Sequence, residues 1–123
     1  MAASSAGFHE SEAVLSAATR DLHRAIVSMM EELEAIDWYQ QRIDAAQDVE
    51  LRDILRHNRD EEMEHAAMLL EWIRRRSPAF EGALRPRLFV EGPILGQEAA
   101  LENDGRGTEG LHARVTVGSL RTP

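Results

Sequence analysis

No cysteine occurs anywhere in the 123-residue chain. A disulfide framework and every thiolate-held zinc or iron–sulfur site are therefore excluded, and any metal must be held by oxygen and imidazole. Lysine is absent too. The 14 basic residues are all arginine, against 22 acidic ones, for a formal net charge of −8. This excess disfavours nucleic acid or an anionic membrane as the main partner and attracts cations instead. Long apolar runs are also missing. The opening Met1-Ala2-Ala3-Ser4-Ser5-Ala6-Gly7 lacks the basic start and apolar core of a secretory signal, and no later run could cross a bilayer. A soluble, cytoplasmic protein is the expectation.

Glycine and proline are scarce through the first half of the chain, and helical periodicity fills the gap. After a small, polar segment over residues 1–9, expected to be disordered, Ser11 can cap a helix with Glu12 in its first turn. The apolar stripe Leu15, Ala18, Leu22, Ala25/Ile26, Met29, Leu33, Ile36 advances in steps of three and four, predicting one long helix to about Asp44. Ala45-Ala46-Gln47-Asp48 reverses the chain, and Asp48 can cap a second helix running to about Arg76. Arg74-Arg75-Arg76 offset the dipole of its last turn, and Ser77-Pro78 stop it. Residues 78–90, broken by Gly82 and Pro86, are expected to be irregular with a helical turn. Gly92-Pro93 can begin a short third helix to about Leu101. The expected organisation is thus a helical domain over 10–101, a flexible linker over 102–114 and an apolar terminal peptide over 115–123.

The second helix carries an anomaly. Its seam reads Leu51, Leu55, Asn58, Glu62, His65, Leu69, Trp72, so three polar side chains interrupt the stripe. Glu62-x-x-His65 puts a carboxylate and an imidazole one turn apart, and burying both without compensation costs several kcal/mol. A bound metal supplies that compensation. Glu32 holds the matching position on the first helix, between Met29 and Ile36. Four-helix bundles that hold two metal ions draw one Glu from each of two helices and Glu-x-x-His from each of the other two. This chain supplies half of that set, and a hairpin cannot bury its own apolar stripe. Core and ligands therefore call for the same twofold dimer, with the metal site on its axis. Oxygen-rich ligation with one imidazole per metal suits iron or manganese.

Several stretches together carry a family resemblance. They are His23-Arg24-Ala25-Ile26-Val27-Ser28, Glu31-Glu32-Leu33-Glu34-Ala35-Ile36-Asp37-Trp38-Tyr39 and His57-Asn58-Arg59-Asp60-Glu61-Glu62. With them go Glu64-His65-Ala66-Ala67-Met68, Leu70-Glu71-Trp72, Phe89 and Glu91-Gly92-Pro93-Ile94. The chain resembles an encapsulated ferritin, the ferritin-like cargo of bacterial encapsulin nanocompartments. The terminal Val115-Thr116-Val117-Gly118-Ser119-Leu120-Arg121 resembles the peptide by which such cargo binds the inner wall of its shell. The ending Thr122-Pro123 departs from the pattern by adding no further basic residue.

The resemblance implies an all-α fold: a two-helix hairpin plus a short C-terminal helix, paired into a ferritin-like four-helix bundle and assembled as a ring, typically a decamer. It implies that Glu32, Glu62 and His65 of two subunits form a di-iron ferroxidase centre using Fe(II) and dioxygen. It also implies an accessory site at the entrance, formed by Glu31 and Glu34 of paired chains, where a divalent cation such as calcium can bind. The place of action would be an encapsulin nanocompartment in the cytoplasm.

Blander readings stand beside these. Glu31 and Glu34 can be a solvated acidic patch beside Trp38. His57, Glu61 and Glu64 share a face that is as readily solvated as cation-binding, and Tyr39 is more often packing than a hydrogen-bond donor to a ligand. Two other functions would use the same residues: a non-enzymatic, metal-stabilised cargo adaptor, and a rubrerythrin-like peroxide reductase.

Overall fold

Two serines decide how the chain enters its first long helix in this computed structural model, which describes residues 6–96. Ser11 accepts a hydrogen bond from the Ala13 N–H at 3.4 Å and heads a 3-10 turn over Glu12–Val14. Leu15 is then extended (φ −89°, ψ 140°), and Ser16 caps α1 (Ala17–Ala45) by accepting from the Thr19 N–H at 3.0 Å. One uninterrupted helix from Ser11 is therefore incorrect. The second serine satisfies the orphan N–H groups one turn later, which leaves Leu15 outside the helix. Arg20 Nη1 donates to the Leu15 carbonyl at 2.5 Å and ties the turn back onto α1. Upstream, the Phe8 ring lies against His23 with centroids 4.4 Å apart.

α1 runs 29 residues without glycine or proline, and the Ala46 N–H closes it on the Arg42 carbonyl at 2.8 Å. Three residues later α2 (Val49–Arg76) begins. Asp48 caps it as expected: Oδ2 accepts from the Leu51 N–H at 2.8 Å, and its carbonyl accepts from the Arg52 N–H at 3.0 Å. Acid at the start of α2 and Arg74-Arg75-Arg76 at its end both suit the helix dipole.

The two helices pack as a hairpin whose buried side chains are few: Ala25 and Ile43 on α1, Ala66 and Ile73 on α2. The α2 seam read from the sequence is displaced. Leu51 stays 45% exposed, whereas Ala66 lies in the interior, so the seam turns toward Glu62 and Ala66 and leaves His65 at its edge. Small side chains let the two helices approach closely, and a single facing helix covers only a narrow strip. A broad apolar surface is left over. Ile26, Met30 and Leu33 on α1 and Leu51, Ile54 and Met68 on α2 are 38–63% exposed. Full burial of such side chains is worth about 1.5–3 kcal/mol each, a driving force the single chain does not use.

A second compact unit starts at Arg74. Within it, residues 78–84 are more regular than the glycine and proline content suggests: Pro78–Leu84 form the short helix α3. Ser77 caps it by accepting from the Phe80 N–H at 3.2 Å, and Pro78 supplies a preset φ in the first turn. Glu81 then binds two arginines, Arg74 Nη1 at 2.5 Å and Arg85 through its Nε. These tethers offset the cost of Gly82 inside the helix. The chain breaks after Leu88, where Phe89 adopts φ 57° and Gly92 φ 94°. Residues 94–96 are helical, with the Gly96 N–H on the Pro93 carbonyl at 3.0 Å. The remainder of the expected third helix, the 102–114 linker and the 115–123 peptide lie outside the described residues. Among those described there is no strand, and no helix is long and apolar enough to cross a membrane.

Candidate metal centre

Glu32 stands in the middle of α1, and Glu62 and His65 stand one turn apart on the facing part of α2. His65 Nδ1 lies 3.1 Å from Glu62 Oε1 and 3.6 Å from Glu32 Oε1. The first distance is a hydrogen bond and the second an ion-pair approach. One potential ligand atom from each of the three residues falls within a group spanning 4.8 Å. None of the three is buried: Glu62 and Glu32 keep 23% and 26% of their side chains exposed, and His65 keeps 45%.

The three groups perturb one another's titration. A hydrogen bond to Glu62, reinforced by desolvation and by the Glu62 charge, holds the Glu32 carboxyl above its ordinary range. The same hydrogen bond from Glu32, together with His65, holds Glu62 below it. His65 is raised, first by its hydrogen bond to Glu62. Two carboxyl groups displaced in opposite directions, beside a raised imidazole, are what closely set acids with little neighbouring positive charge produce. Two carboxylates and an imidazole facing one point fit a hard or borderline divalent ion, and three donors leave coordination positions open.

The other residues singled out from the sequence stay apart from this cluster. Glu31 and Glu34 are exposed on α1, and among the described residues they join no group of three metal-ligating side chains. His57 Nε2 pairs with Glu61 Oε2 at 3.1 Å, and Glu64 is exposed without completing a triad with them. The Tyr39 ring carries the Arg42 guanidinium 5.6 Å from its centroid, so its packing role is the visible one. Two features had no reading in the sequence. Arg59 reaches across the hairpin to Gln40 at 2.7 Å, a contact between residues nineteen apart that no local pattern announces. The pairing of Glu81 with Arg74 and Arg85 is half visible in the Glu81/Arg85 spacing, which is a helical ion-pair spacing.

The family profile described as EncFtn-like matches residues 7–91 of this chain. The encapsulated ferritin-like protein of Rhodospirillum rubrum is 57% identical, over 93% of this chain and 81% of that protein. A ferritin-like protein of Thermotoga maritima is 48% identical, over 84% of this chain and 90% of its own length. An encapsulin nanocompartment cargo protein of Myxococcus xanthus is 36% identical, with coverage of 82% and 85%. In fold, a crystal structure of a Nitrosomonas europaea protein superposes with a TM-score of 0.69 at 60% identity, spanning 72% of this chain and 97% of that one. A cysteine-free helical hairpin, a Glu/Glu/His cluster across its two helices and these similarities converge: the chain belongs to the EncFtn-like family of encapsulated ferritin-like proteins.

Proposed function

We propose that this chain is a ferroxidase that oxidises Fe(II) to Fe(III) at a di-iron centre completed by two subunits, and that it delivers the product for storage inside an encapsulin shell. The observation that carries this reading is the cluster of Glu32, Glu62 and His65, with ligand atoms within 4.8 Å of one another and its two carboxyl groups shifted in opposite directions by their contact. Its donor set is oxygen-rich with one imidazole, which suits iron. Exposed apolar side chains on both helices support the requirement for a second copy. Pairing two hairpins about a twofold axis buries that surface and brings together four carboxylates and two imidazoles. Two ferrous ions carry charge equal and opposite to four ionised carboxylates, so the substrate itself relieves their repulsion.

In this mechanism Glu32 and Glu62 would hold Fe(II) through carboxylate oxygens and His65 through a ring nitrogen, each ligand atom losing any proton it carries as the ion binds. Anionic oxygen ligands favour the higher charge of Fe(III), which lowers the reduction potential of the bound pair. Each Fe(II) would yield one electron, and dioxygen would take the two together with two protons and leave as hydrogen peroxide. Glu31 and Glu34 serve as an acidic entrance when subunits pair, able to hold a divalent cation such as calcium. Dimers assemble into a ring. The linker over 102–114 carries the terminal peptide, whose Val115–Arg121 apolar spacing suits docking to the shell wall, in keeping with the names of the Rhodospirillum and Myxococcus relatives.

Aerobic Fe(II) oxidation, followed by the absorbance of the ferric product, tests this directly. The wild-type chain is expected to oxidise Fe(II) well above the buffer rate, and the Glu62→Ala/His65→Ala double variant to fall to it. A wild type no faster than buffer would overturn the ferroxidase reading, and hydrogen peroxide as oxidant would then separate a peroxide reductase from a structural cargo role.

A further inference from the structure

Arg59 lies one turn before Glu62 on the same side of α2. Its Nε and Nη2 donate to Asp60 Oδ1 at 3.1 and 2.9 Å, which sets the plane of the guanidinium and aims Nη1 across the hairpin. Nη1 donates to Gln40 Oε1 at 2.7 Å. On α1, Gln40 Nε2 donates to Asp44 Oδ1 at 3.0 Å, so the amide is held with its oxygen toward Arg59. The result is a chain Asp60–Arg59–Gln40–Asp44 with both ends anchored by carboxylates. The Arg59 side chain is 22% exposed, while its partners Gln40 and Asp60 are exposed, so the bridge lies at the edge of the hairpin.

We propose that Arg59 is a positioning residue for the metal centre, its bridge to Gln40 fixing the register of α1 against α2 so that Glu32 meets Glu62 and His65. The proposal rests on the reading of those three residues as ligands. The buried side chains, Ala25 and Ile43 on α1 and Ala66 and Ile73 on α2, are apolar and carry little directional information. A slide of one helical turn, about 5.4 Å, could keep an apolar strip covered. It would carry Glu32 out of its 3.6 Å approach to His65. A directional, charge-assisted contact outside the cluster meets that need, and a fork held on one carboxylate while reaching a second acceptor requires arginine.

The test compares the full-length wild type with Arg59→Met, Gln40→Met and the double variant. Circular dichroism checks that helix content is retained. Two readouts follow: the nuclear Overhauser contact between the His65 ring and the Glu32 side chain in metal-free protein, and Co(II) titration by visible absorbance. Each single variant should lose the His65–Glu32 contact and weaken Co(II) binding by about tenfold, the scale of one charge-assisted hydrogen bond. The double variant should be no worse than either single, because one bridge is removed in each case. Three results would overturn the proposal: an intact contact with Co(II) affinity within twofold in Gln40→Met, an effect of Arg59→Met alone, or additive losses in the double variant. If wild type binds no Co(II) while the variants still lose the contact, the register role stands and the metal reading fails. Should Arg59→Met not fold, Gln40→Met alone decides.

Discussion

Glu62 and Glu81 each have a basic side chain one turn further along the chain, His65 and Arg85 respectively, yet their surroundings differ in sign. Glu81 lies between two guanidinium groups, and Arg85 first, then Arg74, holds its carboxyl below the ordinary range. Both of its ion-pair partners are cations, and its chemistry is finished by the fold. Glu62 instead faces a second carboxyl, with a single imidazole to answer both. Glu32 is accordingly pushed up while Glu62 is pulled down. The difference teaches how to tell a structural acid from one kept for a ligand. A carboxylate matched by fixed cations has no use for another, whereas two facing acids that shift each other in opposite directions leave a place that a divalent ion can take.

The largest effect expected from breaking this contrast is on turnover. Removing Glu62 and His65 together should abolish Fe(II) oxidation, while Glu81→Gln should leave the rate per folded subunit unchanged in the same stopped-flow assay. Next comes Glu32→Gln, which replaces one of the crowded acids by a neutral isostere. Co(II) binding by titration should weaken at least about tenfold, as befits loss of a direct ligand. The metal-free variant should nevertheless melt higher than wild type at neutral pH. The sign follows from the raised pKa of Glu32: its stabilising contribution belongs to the protonated form and is lost as pH rises through that value, and glutamine preserves it.

A pH series gives a smaller, graded effect. His65 is raised above its ordinary 6.5 by Glu62, so its ion pairs contribute stability to the metal-free chain that is fully present below that value and lost as pH rises through the raised one. Metal binding runs the other way, because the proton on the imidazole competes with the ion. Apparent Co(II) affinity should therefore fall as pH is lowered from about 8 to about 6, and His65→Ala should flatten the slope. Smallest is the effect on α3. Glu81→Gln should speed amide exchange over residues 78–84 several-fold with no change in metal binding. In wild type the same loosening should appear only on acidification below the ordinary carboxylate range, since the lowered Glu81 contributes stability above 4.5 that is lost as pH falls through its depressed value.

Most of the hairpin was legible because its signals are local. The three-and-four spacing gave both helices, and Asp48 capped the second where its side chain allowed. The errors also have local physical causes. Two serines in succession offered two starts, and the chain used the later one for the long helix. Residues 78–84 looked broken because Gly82 has poor helix propensity, but a serine cap, an early proline and a doubly paired glutamate outweigh it. On α2 the period alone could not say which of two adjacent stripes faces α1, and Ala66 rather than His65 went inward.

What the sequence by itself determined is the kit: helices without thiols, an acid-rich surface, a Glu-x-x-His pair and a matching glutamate, because residue identity and helical period are properties of the chain. What only the tertiary structure decided is the meeting of Glu32 with Glu62 and His65, together with the Arg59–Gln40 contact beside them. Those residues are some twenty to thirty positions apart, and their distance depends on the register of two helices, to which no local spacing is sensitive.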